Sequence, residues 1–238
     1  MPEEDPALPP DPALFARKPS CLKRVFYGLM IFATAFVCLL LLLVKYSHSV
    51  RKRAHESWAT PNARQIGMAL AEFDAKYGSF PNENTVALIN DEFPAHGHDL
   101  SGKASNDFFR QLIAAEIVDS ERIFEAYVKD RIIKSDGGIG PGHALQKGHE
   151  VGFAYIPGSS SNENPATPVV LAHMIKSSAK FDIDRFLGYG KAVVLFSDDS
   201  IRSYKIEKDG RIYDKGIDLL SSKHPVWKGR KPDIRYPE

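Results

Sequence analysis

The sequence predicts an α+β protein held to a membrane by one N-terminal helix, which continues into an amphipathic helix packed on a small antiparallel sheet. Three observations predict this. Val25–Val44 is a run of twenty residues without a charge. Asn62–Tyr77 places apolar residues at helical spacing. From Val151 onward the apolar period changes to that of short strands separated by turn residues.

The run Val25–Val44 has the length of a membrane span. At 1.5 Å per residue a helix of this length covers roughly 30 Å, the thickness of a bilayer's hydrocarbon core. A helix also satisfies its own backbone hydrogen bonds where no water can. Arg17, Lys18, Lys23 and Arg24 precede the run, Lys45, Arg51, Lys52 and Arg53 follow it, and Tyr27 and Tyr46 stand at interfacial positions. The run is longer than the apolar core of a signal peptide and ends at Lys45-Tyr46 without a small-x-small cleavage site, so a permanent anchor is expected. A buried core helix would carry polar residues on one face. The basic residues balance across the run. A short polar tail before it and a long domain after it place the N-terminus in the cytosol and the C-terminal domain outside.

Residues 1–22 read as a cytoplasmic tail. Pro2, Pro6, Pro9, Pro10 and Pro12 fall among acidic residues, a composition that neither forms a helix nor buries a core. Residues 23–46 form the span and 47–60 a basic juxtamembrane linker. Residues 61–238 form one globular domain, long enough for a core of its own. Both cysteines, Cys21 and Cys38, belong to the anchor region. The domain therefore has neither a disulfide nor a thiolate-type zinc site. A net charge of +1 excludes the strong basic excess of a nucleic-acid binder, and the basic residues beside the span suit lipid headgroups.

Within the domain, Thr60-Pro61 reads as an N-cap and first helical residue, and Pro61 either kinks one long helix or separates two. Ala63, Ile66, Leu70, Phe73 and Tyr77 make one helix face, which Gly78 ends. Residues 82–103 read as polar and irregular. Ser105 caps a helix over Asn106–Ile117. A second short helix covers Glu121–Lys129, and Ser135–Gly148 is a glycine-rich loop. Strands follow at Val151–Ile156, Val169–Met174, Ala192–Ser197 and Ile201–Glu207, the last two joined as a hairpin across Asp198-Asp199. After the turn Lys208-Asp209-Gly210 comes Arg211–Tyr213. Lys223–Glu238 reads as an extended tail that packs through Trp227 and Tyr236.

This order resembles a known architecture. The stretches Ala63-Arg64-Gln65-Ile66-Gly67-Met68-Ala69-Leu70 and Tyr77-Gly78-Ser79-Phe80-Pro81, with the later hairpin from Lys191 to Ser203, are similar to type IV pilins and type II secretion pseudopilins. They resemble in particular the corresponding stretches of the pilin-like proteins common in Planctomycetes and Verrucomicrobia. The resemblance covers about residues 60–238 and implies a pilin-like fold of a membrane-bound envelope protein. One departure matters. Prepilins are cut after a glycine, and a glutamate near the new N-terminus assists assembly. Here Gly28 is followed by Leu29-Met30-Ile31, and the apolar run holds no glutamate. A stably anchored protein, not a filament subunit, is therefore expected.

No catalytic, cofactor-binding or metal-binding residue is assigned, and an enzyme is not expected. His96-Gly97-His98-Asp99 has metal-ligand residue types but lies in a loop without a helical frame. Gly137–His143 is rich in glycine but lacks the strand, helix and lysine of a phosphate loop. Asp198, Asp199 and Asp209 could offer oxygens to a hard cation, and are also ordinary turn residues. Ser159–Ser161 lack a nucleophile elbow. His173, in a strand, receives no role. The function expected is a single-pass structural or interaction protein of the bacterial inner membrane, with a periplasmic domain. Its partners would be the lipid bilayer and envelope or secretion-system proteins. The alternative is a tethered ligand-binding or sensory module that uses the loops 82–103 and 135–148.

Overall fold

The computed structural model describes residues 21–128, 131–146, 148, 150–162, 164–182 and 190–238. Of the unstructured tail expected over residues 1–22, residues 1–20 lie outside them, and Cys21 and Leu22 are already helical. The chain divides into two units, Met1–Val50 and Arg51–Glu238.

In the first unit the described chain is helical from Cys21, the start of helix α1 (Cys21–Tyr77). Its segment Val25–Val44 is the one candidate membrane span among the described residues, with none of it buried against protein. Leu, Ile and Phe side chains there stand mostly exposed, Ile31 and Phe32 at 71% each. Cys38 is an exposed free thiol.

The second unit mixes helix with a small antiparallel sheet. Helix α1 does not start at Thr60, and Pro61 lies inside it. The proline removes one helix hydrogen bond, a disruption of about 3 kcal/mol. The apolar face nonetheless runs on through it. Ala59 on one side and Ala63, Ile66, Leu70 and Phe73 on the other are all at most 1% exposed. Each fully buried large side chain on this face contributes about 1.5–3 kcal/mol, more together than the proline disrupts. Gly78, at φ +78°, ends the helix, and its N–H bonds the Asp74 carbonyl.

Residues 82–103, expected to be irregular, contain helix α2 (Thr85–Glu92). Asn82 organises its start: its Oδ1 accepts from Asn84 N, and its backbone N–H donates to Thr85 Oγ1. Helix α3 (Ser105–Ala114) begins at the expected cap itself, one residue before the expected helix start at Asn106, and ends at Ala114 rather than Ile117. Ser105 is inside the helix, and Asp107 supplies the capping bond by accepting from Ala104 N at 2.8 Å. The helix expected over Glu121–Lys129 is a single 3-10 turn, Glu121–Phe124, followed by strand β1 (Tyr127–Val128) paired with β2 (Arg131–Ile132). Asn62 on α1 ties this turn down, donating to the Arg122 and Glu125 carbonyls at 3.1 and 2.8 Å.

The main sheet consists of β3 (Phe153–Tyr155), β4 (Pro168–Ala172), β7 (Gly190–Phe196) and β8 (Ile201–Ile206), antiparallel in the spatial order β3-β4-β7-β8. The expected strand Val169–Met174 breaks at His173, whose φ is +66°. The chain then enters a separate hairpin, β5 (Met174–Ile175) with β6 (Lys180–Phe181). A last small hairpin joins β9 (Tyr213–Asp214) to β10 (Ile217–Asp218).

Alternate residues of the sheet enter two cores. Phe153, Tyr155, Val193 and Leu195 join the α1 and α3 side. Ala154, Ala192, Val194 and Phe196 join a second cluster with Phe181, Ile212, Leu219 and Leu220. Val169 and Val170 are neighbours yet share the first core, because the β4–β7 register shifts between Pro168 and Val170. The sheet is therefore covered on both faces, where the sequence led us to expect a helix on one. The second cover is the C-terminal chain. Trp227 donates its Nε1–H to the Leu219 carbonyl at 2.7 Å, and the Tyr236 hydroxyl accepts from Ala179 N. Arg235 exchanges two backbone hydrogen bonds with Tyr155, closing the β3 edge of the sheet.

Candidate functional site

Three carboxylates gather at a place that periodicity did not single out. Carboxylate oxygens of Glu121, Asp136 and Glu150 lie within 4.8 Å of one another, the one such group of three potential ligands among the described residues. Glu121 is fully buried and Glu150 nearly so, whereas Asp136 is exposed. Each element that delivers them is short. Ser120 caps the 3-10 turn that carries Glu121. The glycine-rich loop carries Asp136 and returns to Glu150 just ahead of β3.

This loop spends its backbone N–H groups on the cluster. Leu145 N donates to Glu121 Oε1 at 2.5 Å and Gly137 N to Oε2 at 3.1 Å. Gln146 N donates to Glu150, and Gly138 N to Asp136 Oδ1 at 2.7 Å. Gly137, at φ +82°, makes the turn that brings its N–H inward. Arg110 fixes the loop from the other side, donating through Nε to the Ala144 carbonyl and through Nη2 to the Leu145 carbonyl. The loop does cradle an anion through its N–H groups, and that anion is the protein's own Glu121.

Burial pushes the Glu121 carboxyl above its ordinary range, against the loop hydrogen bonds that favour its charged form; Glu150 and Asp136 add repulsion. Burial raises Glu150 as well, with Asp136 again repelling. As a donor set, three carboxylates suit a hard cation. In the structure each of them already accepts at least one backbone N–H, so the cluster acts as the post around which the loop is wound.

His96 has both ring nitrogens engaged: Nδ1 accepts from His98 N at 2.8 Å, which leaves Nε2–H to donate to Asn90 Oδ1 at 2.8 Å. His98 stacks on it, ring centroids 5.6 Å apart. Burial holds the His98 pKa below its usual value, and His96 and Arg110 add to the effect. Gly97, at φ +66°, sets its Cα against Pro141, so the loops 82–103 and 135–148 meet directly. Arg110 reinforces the junction by also donating to the Asp99 carbonyl.

Asp198 and Asp199 shape the β7–β8 turn, Asp198 Oδ1 accepting from Ser200 N. Asp199, at φ +61°, rests its carboxylate on Gly67 of α1, where a Cβ would come within 1.9 Å of Oδ1. Asp209 holds its own turn through Arg211 N and the Tyr213 hydroxyl. Ser161 donates its N–H and hydroxyl to Asp74 on α1, a tie between the β3–β4 loop and the helix. Phe80 N bonds the Ser159 carbonyl. His173 is a buried bend residue, its carbonyl accepting from Asp182 N.

Glu121 and Glu150 escaped the sequence reading because nothing in their spacing links them. The available signal was weak: a glutamate directly after a capping serine, and another directly before an apolar strand. Against this fold and these sites, no protein-family model, no curated protein and no solved structure matches the chain.

Proposed function

We propose that this chain is a single-pass, membrane-anchored structural or interaction protein of the bacterial envelope, with a pilin-like domain carried outside the inner membrane. Val25–Val44 is the anchor, the N-terminus faces the cytosol, and the unit from Arg51 onward reaches periplasmic partners such as a secretion or pilus-type assembly. The observation that carries this reading is the composition of α1. One helix contains a twenty-residue apolar segment with nothing buried on it and, further along, the apolar face that forms the core under an antiparallel sheet. Exposed to water, such a segment would be strongly unfavourable; in a bilayer its exposure is favourable. Without a glutamate in the span or a matching cleavage sequence at Gly28, the protein stays anchored and does not polymerise.

Membrane fractionation with protease protection tests the arrangement. The domain should be digested from the periplasmic side while the chain remains in the membrane pellet; recovery in the soluble fraction refutes it. N-terminal sequencing of the purified protein should find no mature chain that begins at Leu29. Crosslinking in cells, followed by purification, should recover envelope proteins in fixed stoichiometry; a monomer that co-purifies with a small molecule would favour the tethered ligand-binding module instead.

A further inference from the structure

A cavity of about 400 Å³ opens between the β3–β4 loop and the C-terminal chain. This volume falls within the usual range of small-molecule sites. Three cations line it on one side, Lys228, Arg230 and Lys231, all exposed. None of the three makes an ion pair among the described residues. The one described carboxylate in the lining, Asp233, is engaged by Arg235 at 2.5 Å. The cavity therefore carries a net positive charge on a protein whose overall charge is +1.

Its floor has a second character. Trp227 lines it, and the only polar atom of that ring is already bonded to the Leu219 carbonyl, so the ring offers the cavity carbon surface. Ile156 and Val226, both buried, extend this surface. On the opposite loop Asn164, whose Oδ1 already accepts from Ala166 N, adds its amide N–H2, and Thr167 adds a hydroxyl. The walls are held in place. Thr167 N bonds the Asn164 carbonyl and Ser197 Oγ donates to the same carbonyl, while Lys228, at φ +50°, ends the 3-10 turn Pro225–Trp227 with its N–H on Pro225.

We propose that this cavity binds a small organic anion: a carboxylate or phosphate held by Lys228, Arg230 and Lys231, borne on a hydroxylated ring that lies on Trp227 and reaches Asn164 and Thr167. An acidic sugar or a sugar phosphate has this chemistry. Cations supply the charge recognition, and an aromatic face with nearby amide and hydroxyl groups accommodates a ring that is apolar on its face and polar at its edge. The site is independent of the anchoring and of any pilin-like assembly.

The test uses the full-length protein in detergent micelles, with Trp58→Phe introduced so that Trp227 is the sole tryptophan and is excited beyond the tyrosine absorption band. Glucuronate, glucose 6-phosphate, glucose and inorganic phosphate are titrated separately. At least one of the two anionic sugars should change the emission saturably and bind more tightly than glucose or inorganic phosphate, and which one does identifies the acid group. Higher salt should weaken it. In the variant combining Lys228→Gln, Arg230→Gln and Lys231→Gln affinity should fall about tenfold, three exposed charge contacts acting together. Lys231→Gln alone, on an exposed side chain, should fall about two- to threefold with the melting temperature unchanged. The proposal is overturned if neither anionic sugar binds saturably. It is equally overturned if they bind no better than glucose and inorganic phosphate, or if both variants keep the parent's affinity.

Discussion

Gly152→Ala gives the sharpest test of how the carboxylate cluster is built. Gly152 N donates to the Phe124 carbonyl at 2.8 Å, which locks β3 to the 3-10 turn that carries Glu121. A Cβ at Gly152 would lie 2.5 Å from Ala126 Cβ, 2.6 Å from Ala126 N and 2.8 Å from Ala126 Cα. Carbon atoms pack at about 3.5–4.0 Å, so the two segments must part by roughly 1 Å. Ala126 cannot swing a side chain aside, and its backbone is held because its carbonyl accepts from Ile133 N at 2.8 Å. Parting by that distance breaks the Gly152–Phe124 hydrogen bond, a loss of about 1 kcal/mol. Overpacking adds about 1–3 kcal/mol. The smaller backbone entropy of alanine in the unfolded chain offsets about 0.4–1 kcal/mol. The net loss is about 1–3.5 kcal/mol, which lowers the melting temperature of a domain of this size by about 2–14 °C. Thermal unfolding of full-length protein in detergent, followed by tryptophan fluorescence, measures it. Gly140→Ala is the internal control, since nothing lies within 4 Å of its would-be Cβ and its φ is unstrained. If Gly152→Ala melts within about 2 °C of Gly140→Ala, the close contact between β3 and Ala126 is wrong.

Three further outcomes are expected. Asn62→Ala should cost about 1–2 kcal/mol by removing both bonds to the 3-10 turn, and Asn62→Asp should cost more, because a carboxylate then faces two carbonyl oxygens; chemical denaturation ranks the three proteins. Glu121 and Glu150 have raised pKa values in the folded state, so their contribution is fully present below the ordinary carboxylate pKa and is lost as pH rises through the raised values. Acidification from neutral pH toward that ordinary value should then stabilise the parent relative to Glu121→Gln. Because the lowered pKa of His98 works in the opposite direction, the difference between the two melting curves is the readout, and a pH-independent difference would refute the assignment. Replacing Ala35 and Leu39 by arginine adds about 2.5–3.5 kcal/mol per charge to insertion near the middle of the span, and should move the protein out of the membrane fraction.

Much of this architecture was legible because its signals are local. The apolar run Val25–Val44, the face Ala63-Ile66-Leu70-Phe73 and the strands around Asp198-Asp199 each declare themselves within twenty residues. Helix α2 was missed: Val86, Ile89 and Phe93 carry a helical spacing, but polar residues on its other faces concealed it. Local signals failed where a distant partner decided the outcome. Thr60-Pro61 left one long helix and two helices both open, and the burial of Ala59 in the same core as Ala63 and Ile66 selects the one long helix. Ser105 read as a cap, yet Asp107 supplies the bond. The glycine-rich loop showed no partner in the sequence, yet it is wound on Glu121, fifteen residues earlier than Asp136.

The sequence by itself determined the apolar run, the α+β plan and the absence of thiol chemistry in the domain, because chain length, hydrophobic period and residue type are properties of the chain alone. Tertiary structure decided the rest. It buried Glu121 and Glu150 together, joined the two loops at Gly97 and Pro141, folded the C-terminal chain over the second face of the sheet, and left Lys228, Arg230 and Lys231 around a cavity. Each of these depends on which distant groups come within a few ångströms, where desolvation and hydrogen bonding act, and no short-range pattern encodes that distance.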